Sequence, residues 1–196
     1  MNETILTPER ILQAAEEVLR RFGPSKANVV DVARALGVSH GSVYKHFASK
    51  AELREAVARI WLLRGNAPLE AIAAEDGPAA ERLHRWLREL IGIKRGRLFD
   101  DPELFATYCQ LAGEAREVVA EHVEHLTDQV RRIVAQGVER GELASQNPAA
   151  TARAVLSATA RFHNPAHASE WSHPDIDKDF EEVWSLILSG LQPRPR

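Results

Sequence analysis

Residues 27–50 have the sequence ANVVDVARALGVSHGSVYKHFASK, which predicts two short helices joined by a tight turn and followed by the start of a third. Asn28 is a residue type that caps the N-terminus of a helix, and Gly37 can adopt the left-handed backbone that commonly ends one. Ser39 follows two residues later and can cap the second helix. This order of cap, stop and cap predicts a helix-turn-helix.

The apolar residues of the same stretch support this prediction. Val43 and Phe47 are four residues apart, so they are expected to hold the second helix on the core. Ser49 and Glu52 have the spacing of a capping box for the third helix. The first helix has an apolar face at helical spacing, formed by Val29, Val30, Val32, Ala33 and Leu36. A helix-turn-helix places its second helix in a DNA major groove, so the stretch indicates a DNA-binding unit.

An upstream helix completes the predicted unit. Thr7 can cap it, and Pro8 follows at the first helical position, where proline is favoured. Its expected buried stripe is Ile11, Leu12, Ala15, Val18, Leu19 and Phe22. The N-terminal part of the chain is therefore predicted to be a three-helix unit.

This run resembles the DNA-binding motif of the TetR family of transcriptional regulators, G-V-S-x-G-x-[aliphatic]-Y-x-H-F-x-S-K. The matching residues are Gly37, Val38, Ser39, Gly41, Val43, Tyr44, His46, Phe47, Ser49 and Lys50. The resemblance is specific over the N-terminal third of the chain, and beyond it only the layout of helices agrees. It implies a homodimer that binds double-stranded DNA at an inverted repeat and, by family default, represses transcription. It also implies release of the DNA when a small molecule binds the body of the protein.

The resemblance implies phosphate contacts for Tyr44, His46 and Lys50. Other side chains that can reach a phosphate or a base edge are Ser39, Ser42 and Lys45. The backbone N–H groups at the start of the third helix can bind a phosphate as well.

Three further residues have individual predicted roles at the DNA. His40 occupies a position that varies in the family, and we expect it to contact a base. Arg34 lies on the preceding helix and can hold the DNA backbone across the groove. Gly41 has no side chain, so the helix backbone can lie close to the DNA.

Composition and charge agree with a DNA-binding protein of the cytoplasm. The chain has 196 residues and a net charge of −3, but residues 1–64 carry +3 and residues 65–196 carry −6. Its single cysteine, Cys109, excludes an internal disulfide and fits a reducing compartment. Residues 1–3 lack the pattern of a signal peptide, and no stretch has the length and hydrophobicity of a membrane span. We therefore expect a cytoplasmic protein without a membrane contact.

The remaining sequence predicts an all-α protein of about nine helices. One helix is expected to begin at Pro78 and to end at residues 92–96, where two glycines occur. A long helix is expected to stop at Gly141, and an alanine-rich helix to run from Pro148 to Phe162. The predicted domains are a helix-turn-helix domain at 1–49, a connecting helix at 50–66, and a helical ligand-binding and dimerisation domain at 67–196.

The family resemblance implies that the homodimer forms through the last two helices, and the residues of both helices agree with this. The first of them has small side chains that let a partner approach, at Thr151, Ala154, Ser157 and Ala158. The final helix has a broad apolar face formed by Ile176, Phe180, Val183, Trp184, Ile187, Leu188 and Leu191. The alternative is that both helices pack inside one subunit.

A pocket for the effector is predicted among aromatic or soft residues on helices that the family uses for its cavity. They are Trp61, Trp86, Phe105, Tyr108, Cys109 and Phe162. Such a lining favours an apolar or aromatic molecule with few polar anchors. The alternative is that these residues are ordinary core.

Two other functions are weaker alternatives. A metal-responsive regulator could use the histidine-rich loop that contains His163, His167 and His173, although Pro165 breaks the spacing of the first two. A helical interaction protein without specific DNA binding is the other alternative. No cofactor, metal or catalytic residue is predicted, because Cys109 lies on an apolar face and no nucleophile elbow or glycine-rich phosphate loop occurs.

Overall fold

The structure is a computed structural model that describes residues 6–23 and 28–193. Within these residues all regular elements are helices, eleven α-helices and one 3-10 helix, and no strand occurs. The predicted all-α class is therefore confirmed. Ala27, the first residue of the quoted motif, and residues 1–3, used in the prediction on secretion, lie outside the described residues.

The first of two packing units is formed by the described residues among 1–64 and 101–120. Its helices are α1 (Pro8–Phe22), α2 (Val29–Leu36), α3 (His40–Tyr44), α4 (Lys50–Leu63) and α7 (Pro102–Glu114). Helix α1 packs on α2, α2 packs on α3, and α7 packs on both α1 and α4. The core of the unit contains Ile11, Val18, Leu19, Val32, Val43, Phe47, Leu53 and Val57.

Two residues of the predicted apolar stripes are exposed, and those predictions were wrong. Phe22 lies in the last turn of α1, where its ring is exposed beneath the guanidinium of Arg21 at 5.1 Å. Val30 is exposed because the short helix α2 buries one face only. That face contains Val29 and Val32, and Val30 points about 100° away from Val29.

The second packing unit is formed by residues 65–100 and 121–193 of the described part of the chain. Its helices are α5 (Asn66–Ala74), α6 (Ala79–Asp100), α9 (Pro148–Ala158), α10 (Ala160–His163), the 3-10 helix (Pro165–Glu170) and α11 (Ile176–Leu191). Helix α8 (Arg116–Glu139) begins in the first unit and continues into the second. The core of the second unit includes Leu83, Trp86, Leu87, Leu90, Val130, Ile133, Phe162 and Phe180.

Helix α6 is longer than predicted, because Gly92 and Gly96 do not end it. A glycine within a helix costs about 1 kcal/mol relative to alanine, and burial of side chains such as Leu87 and Leu90 offsets that cost. The helix ends only before the pair Asp101-Pro102, since a residue that precedes proline is disfavoured in the helical region.

The described residues also contain more helices than the nine predicted. One of the additional helices is α5, and its Pro68 lies in the first turn, where proline is tolerated. The alanine-rich helix is interrupted at Thr159, whose hydroxyl donates to the carbonyl of Val155 over 2.8 Å, and α10 follows. The 3-10 helix lies in the segment predicted as a loop.

The predicted division into domains at residues 49 and 66 stays a prediction. Among the helices that the structure describes, none combines the length and hydrophobicity needed to cross a bilayer.

Candidate DNA-binding surface and effector residues

The turn between α2 and α3 has the geometry that its residues predicted. The side chain of Asn28 accepts a hydrogen bond from the backbone N–H of Asp31 over 3.0 Å. Gly37 has φ 67° and ψ 28°, a left-handed backbone that ends α2. The N–H of Val38 donates to the carbonyl of Ala33 over 3.0 Å, which fixes the direction of the chain as it enters α3.

Helix α3 is held on the core by two buried side chains. Val43 is fully buried, and Phe47 beyond the helix end is buried as well. Ser39 caps the helix, since its hydroxyl accepts from the N–H of Ser42 over 3.1 Å. The two hydroxyls are also 2.9 Å apart, so one of them donates to the other and the second keeps its proton for another acceptor.

The rest of this segment forms an exposed polar surface. Ser42 is half-buried, and 45% of Tyr44 is exposed, so Tyr44 is not a core residue. Near Gly41 the atom closest to an added Cβ would be Ser39 Oγ at 3.7 Å, an ordinary contact. The other exposed members of the surface are Ser39, His40, Gly41, Lys45, His46 and Lys50.

Arg34 has a partner on its own helix. Its Nη1 lies 3.0 Å from Oδ1 of Asp31, one turn earlier, and both groups face solvent. An exposed ion pair of this kind stabilises a protein by about 0–1 kcal/mol. The Arg34 guanidinium can therefore leave Asp31 and bind a DNA phosphate with little loss of stability.

The start of α4 has the predicted cap at Ser49, and the carboxylate of Glu52 returns to the residue before the cap rather than to Ser49 itself. The hydroxyl of Ser49 accepts from the N–H of Glu52 over 3.1 Å, and the Glu52 carboxylate accepts from the N–H of Ala48 over 2.6 Å. Lys50 is the first residue of the helix and is exposed. The positive end of the helix dipole and the Lys50 ammonium therefore lie together, which favours a phosphate.

Four of the six predicted effector residues belong to the first unit. The rings of Trp61 and Tyr108 are stacked, with centroids 4.7 Å apart and planes 6° apart. The ring of Phe105 meets Trp61 edge-on at 6.3 Å. All three rings are buried, and Cys109 is half-buried.

The hydroxyl of Tyr108 joins α7 to α1. It donates to Oε1 of Glu16 over 3.1 Å, and the other oxygen of Glu16 pairs with the guanidinium of Arg64. Burial raises the pKa of Tyr108, and the charge of Glu16 raises it further, so the hydroxyl stays protonated and able to donate.

The other two predicted effector residues lie in the core of the second unit. The indole N–H of Trp86 donates to Gln129 over 3.0 Å, and the ring of Phe162 meets Phe180 edge-on at 5.4 Å. Trp86 and Phe162 are fully buried. The contact of these six residues with an effector stays a prediction.

The histidine-rich loop does not gather its histidines at one point. His163 lies against the hydroxyl of Thr159 at 3.3 Å, and His167 lies 2.9 Å from Glu170. His173 accepts from the N–H of Asp175 over 3.3 Å. Over residues 6–23 and 28–193 no group of three or more His, Cys, Asp or Glu side chains is placed to hold a metal ion.

Sequence reasoning missed two features that the structure brings together. Lys94 is buried on α6, next to His122 of α8. The sequence indicated that Lys94 is buried, because it follows Leu87 by seven residues and Leu90 by four and so lies on the apolar face of the helix. The Glu16–Tyr108 bond had no signal, because 92 residues separate the two partners.

Two family models match the chain. The model described as "Bacterial regulatory proteins, tetR family" matches residues 11–57, which contain the helix-turn-helix. The model described as "Tetracyclin repressor-like, C-terminal domain" matches residues 79–184, more than half of the chain.

Individual relatives cover nearly the whole chain. The HTH-type transcriptional repressor BepR of Brucella suis is 27% identical, over 96% of this chain and 88% of its own length. The nucleoid occlusion factor SlmA of Marinobacter nauticus is 25% identical, over 93% and 94%. A solved structure that concerns the control of antibiotic production by bacterial hormones is 28% identical, with a TM-score of 0.62, over 97% of this chain and all of that one.

Proposed function

The chain belongs to the TetR family of bacterial regulatory proteins, and from this membership we propose that it binds an inverted-repeat operator as a homodimer and leaves it when a small, largely apolar molecule binds. As a member of this family it is a DNA-binding, ligand-responsive transcriptional regulator. Repression is the mode that the BepR relative supports.

The surface of α3 is the observation that carries this proposal. Val43 and Phe47 are buried and hold α3 on the core, while Gly41, Tyr44 and Lys45 remain exposed to solvent. A helix with a buried back and a polar front that includes a glycine can enter a major groove closely. Buried apolar side chains hold α3 in place in the free protein. DNA binding therefore requires no large loss of conformational entropy in the exposed polar surface.

We assign each exposed residue a part in binding. Lys50, Tyr44 and His46 contact phosphates and set the register, and Arg34 adds a phosphate contact from α2. Such contacts supply affinity without sequence preference. His40 contacts a base edge and supplies preference, together with Ser39, Ser42 and Lys45 where they reach the groove.

The homodimer forms through α9 and α11. Leu186 is 75% exposed on α11, and the small residues Ala154, Ser157 and Ala158 are exposed on α9. Four residues of the predicted apolar face of α11 are buried within the chain, so the prediction that they face a partner was wrong; they are Ile176, Phe180, Trp184 and Leu191. A two-fold dimer of this kind matches the symmetry of an inverted repeat.

Sedimentation velocity tests the dimer. Leu186→Glu would place a charge in the contact and is expected to shift the protein from dimer to monomer. Leu63→Glu is the matched control, because Leu63 is 51% exposed on α4, outside the proposed contact. A dimer that persists in Leu186→Glu would place the interface elsewhere.

The effector acts by its differential affinity for two shapes of the dimer. A ligand that binds more tightly to the dimer shape whose α3 helices do not fit the operator lowers the affinity of the dimer for DNA. DNA lowers the affinity of the dimer for the ligand by the same factor. This role requires no catalysis, so we assign no enzymatic activity. We place the protein in the cytoplasm, where bacterial DNA is found.

Selection from genomic fragments tests the function as a whole. Sheared DNA from the source genome is passed over the immobilised dimer, and the retained fragments are sequenced. We expect one enriched sequence with two-fold symmetry, and we expect its enrichment to disappear with His40→Ala and Gly41→Ala together. Retained fragments that share no symmetric sequence would contradict operator binding.

A further inference from the structure

The carboxylate of Glu16 lies where three helices of the first unit meet. Its Oε1 accepts the hydrogen bond from the hydroxyl of Tyr108 on α7 over 3.1 Å. Its Oε2 pairs with the guanidinium of Arg64, the C-cap residue of α4. Only 15% of the Glu16 side chain is exposed. One mostly buried carboxylate of α1 therefore holds both α4 and α7.

Aromatic rings also bind α7 to α4. The ring of Tyr108 is stacked on that of Trp61 in α4, with centroids 4.7 Å apart. The ring of Phe105, one turn earlier on α7, meets Trp61 edge-on at 6.3 Å. A displacement of α7 would therefore move Tyr108 away from the Trp61 ring and from the Glu16 carboxylate at the same time.

The proposed phosphate contacts come from two elements that both rest on α1. Tyr44 lies at the end of α3, which packs on α2, and α2 packs on α1. Lys50 begins α4, which packs on α1 directly. The phosphates of a duplex have a fixed spacing. Both contacts can therefore form without a further ordering cost only if α1 and α4 already have the required relative position.

We infer that Glu16 is a positioning residue for DNA binding, and that α7 controls the DNA affinity through it. The pair with Arg64 holds α4 at one position on α1, and the hydrogen bond from Tyr108 holds the carboxylate in place for that pair. This inference rests on the proposed function and adds to it a contact through which a change in α7 alters the DNA-binding surface.

The alternative is that Glu16 contributes to stability alone. A folded protein that loses part of its stability remains almost fully folded, so its DNA affinity is unchanged. Because DNA is a polyanion, removal of a carboxylate should by itself strengthen DNA binding. A positioning role predicts the opposite sign, since α1 and α4 lose the contact that fixes their relative position.

The test compares two neighbouring carboxylates of α1. Glu16→Gln has nearly the same volume as glutamate but lacks the charge that holds Arg64. Glu17→Gln is the matched control, because Glu17 is the next residue of α1, is exposed, and loses the same charge. Tyr108→Phe removes only the hydroxyl that donates to Glu16. Fluorescence anisotropy measures the affinity of each variant for the symmetric sequence that the genomic selection retains.

We expect Glu16→Gln to bind this operator at least about fivefold more weakly than the unmodified protein, the lower end of typical coupling between two sites. Glu17→Gln should bind as tightly as the unmodified protein or more tightly. Tyr108→Phe should weaken binding too, and the double variant should lose less than the two single losses combined, because both remove one contact. The inference is overturned if Glu16→Gln, folded by circular dichroism, binds as tightly as Glu17→Gln. It is also overturned if Tyr108→Phe keeps full affinity.

Hydrogen exchange tests the same coupling in the unmodified protein. If contact of α7 with α1 favours DNA binding, DNA binding must favour that contact by the same factor. We therefore expect the amides of α7 to exchange more slowly in the presence of operator DNA, and to be slowed more than those of α11 in the second unit. Slowing of α7 no greater than that of α11 overturns the inference, even if Glu16→Gln fails to fold.

A scrambled duplex of equal length separates this inference from the proposed function. Phosphate contacts form on any duplex, so Glu16→Gln should weaken binding to both. Equal affinity of the unmodified protein for the two duplexes overturns operator recognition, and a weaker Glu16→Gln then still supports the positioning role. Operator preference with full affinity in Glu16→Gln leaves the proposed function intact and overturns the positioning role. The absence of any DNA binding by the unmodified protein overturns both.

Discussion

The hydroxyl of Tyr108 donates a hydrogen bond to Glu16 over 3.1 Å, and this bond links α7 to α1 of the helix-turn-helix unit. The Tyr108 ring is also stacked on Trp61 of α4. Helix α7 is thereby held on two helices of the unit that carries α3, inside one packing unit. A change in α7 would therefore be felt by α1 and α4 directly.

The two tyrosines of the chain provide a matched test of this link. Tyr108→Phe keeps the stacked ring but removes the buried hydrogen bond, so the free energy of unfolding should fall by about 1 kcal/mol. Tyr44→Phe should leave stability unchanged and weaken DNA binding, because Tyr44 is exposed on the proposed DNA surface. Urea unfolding and fluorescence anisotropy measure the two effects. Equal stability of both variants would argue against the bond.

Gly41→Ala separates folding from DNA binding. The added Cβ meets no atom closer than 3.7 Å, and alanine favours a helix over glycine by about 0.5–1 kcal/mol, so stability should be unchanged or higher. DNA affinity should fall, because the methyl group would lie between the helix backbone and the groove. Gly92→Ala is the control, since Gly92 is an exposed glycine of α6 with open space around it. Unchanged DNA affinity in Gly41→Ala would contradict the proposed docking.

Lys50 is expected to contribute to the salt dependence of DNA binding. Lys50→Ala in a homodimer removes two phosphate contacts, so the slope of log K against log salt should become shallower by roughly 2. Affinity should fall for specific and scrambled DNA alike. Lys178→Ala removes another exposed charge, on α11, and should change neither quantity. A Lys50→Ala slope equal to that of Lys178→Ala would rule out the phosphate contact.

The buried histidines predict that stability falls with acidification. The pKa of His122 is lowered from 6.5 to about 3, so between these values the unfolded chain binds a proton that the folded chain does not. Its contribution is complete above pH 6.5 and decreases as the pH falls, by roughly 2 kcal/mol at pH 5.

Chemical unfolding at pH 7 and pH 5 measures this effect. His122→Gln should lose roughly 2 kcal/mol less on acidification than the unmodified protein, because glutamine does not titrate. His173→Gln is the control, since His173 is exposed and should behave as the unmodified protein does. Equal losses in all three proteins would show that His122 is not buried in its neutral form.

Local signals predicted the DNA-binding unit well. The caps at Asn28, Ser39 and Ser49 and the turn at Gly37 depend on hydrogen bonds within four residues, so neighbouring residues in the sequence determine them. The same holds for the burial of Val43 and Phe47, which follows from their spacing. Helical spacing wrongly predicted that Phe22 is buried. Phe22 lies in the last turn of α1, where its ring is exposed.

The second unit was harder to predict, because long-range packing overrides local propensity there. Gly92 and Gly96 indicated a helix end, but the face of α6 that packs on the core continues past Gly92 to the partly buried Ile93 and the buried Lys94, which keeps the helix intact. That error hid Lys94, which was expected to lie in a helix-ending segment. Its neighbour His122 is 28 residues away in the sequence, and no local pattern joins the two.

The most direct test of the central claim is a fluorescence-anisotropy titration of the purified protein against DNA upstream of its own gene, beside a scrambled duplex of equal length, at two salt concentrations. We predict that the protein prefers the native duplex by at least a hundredfold, saturates at one dimer per inverted repeat, and binds more weakly at higher salt. Equal affinity for both duplexes, together with the absence of a symmetric sequence among selected genomic fragments, would contradict the assignment as a sequence-specific regulator.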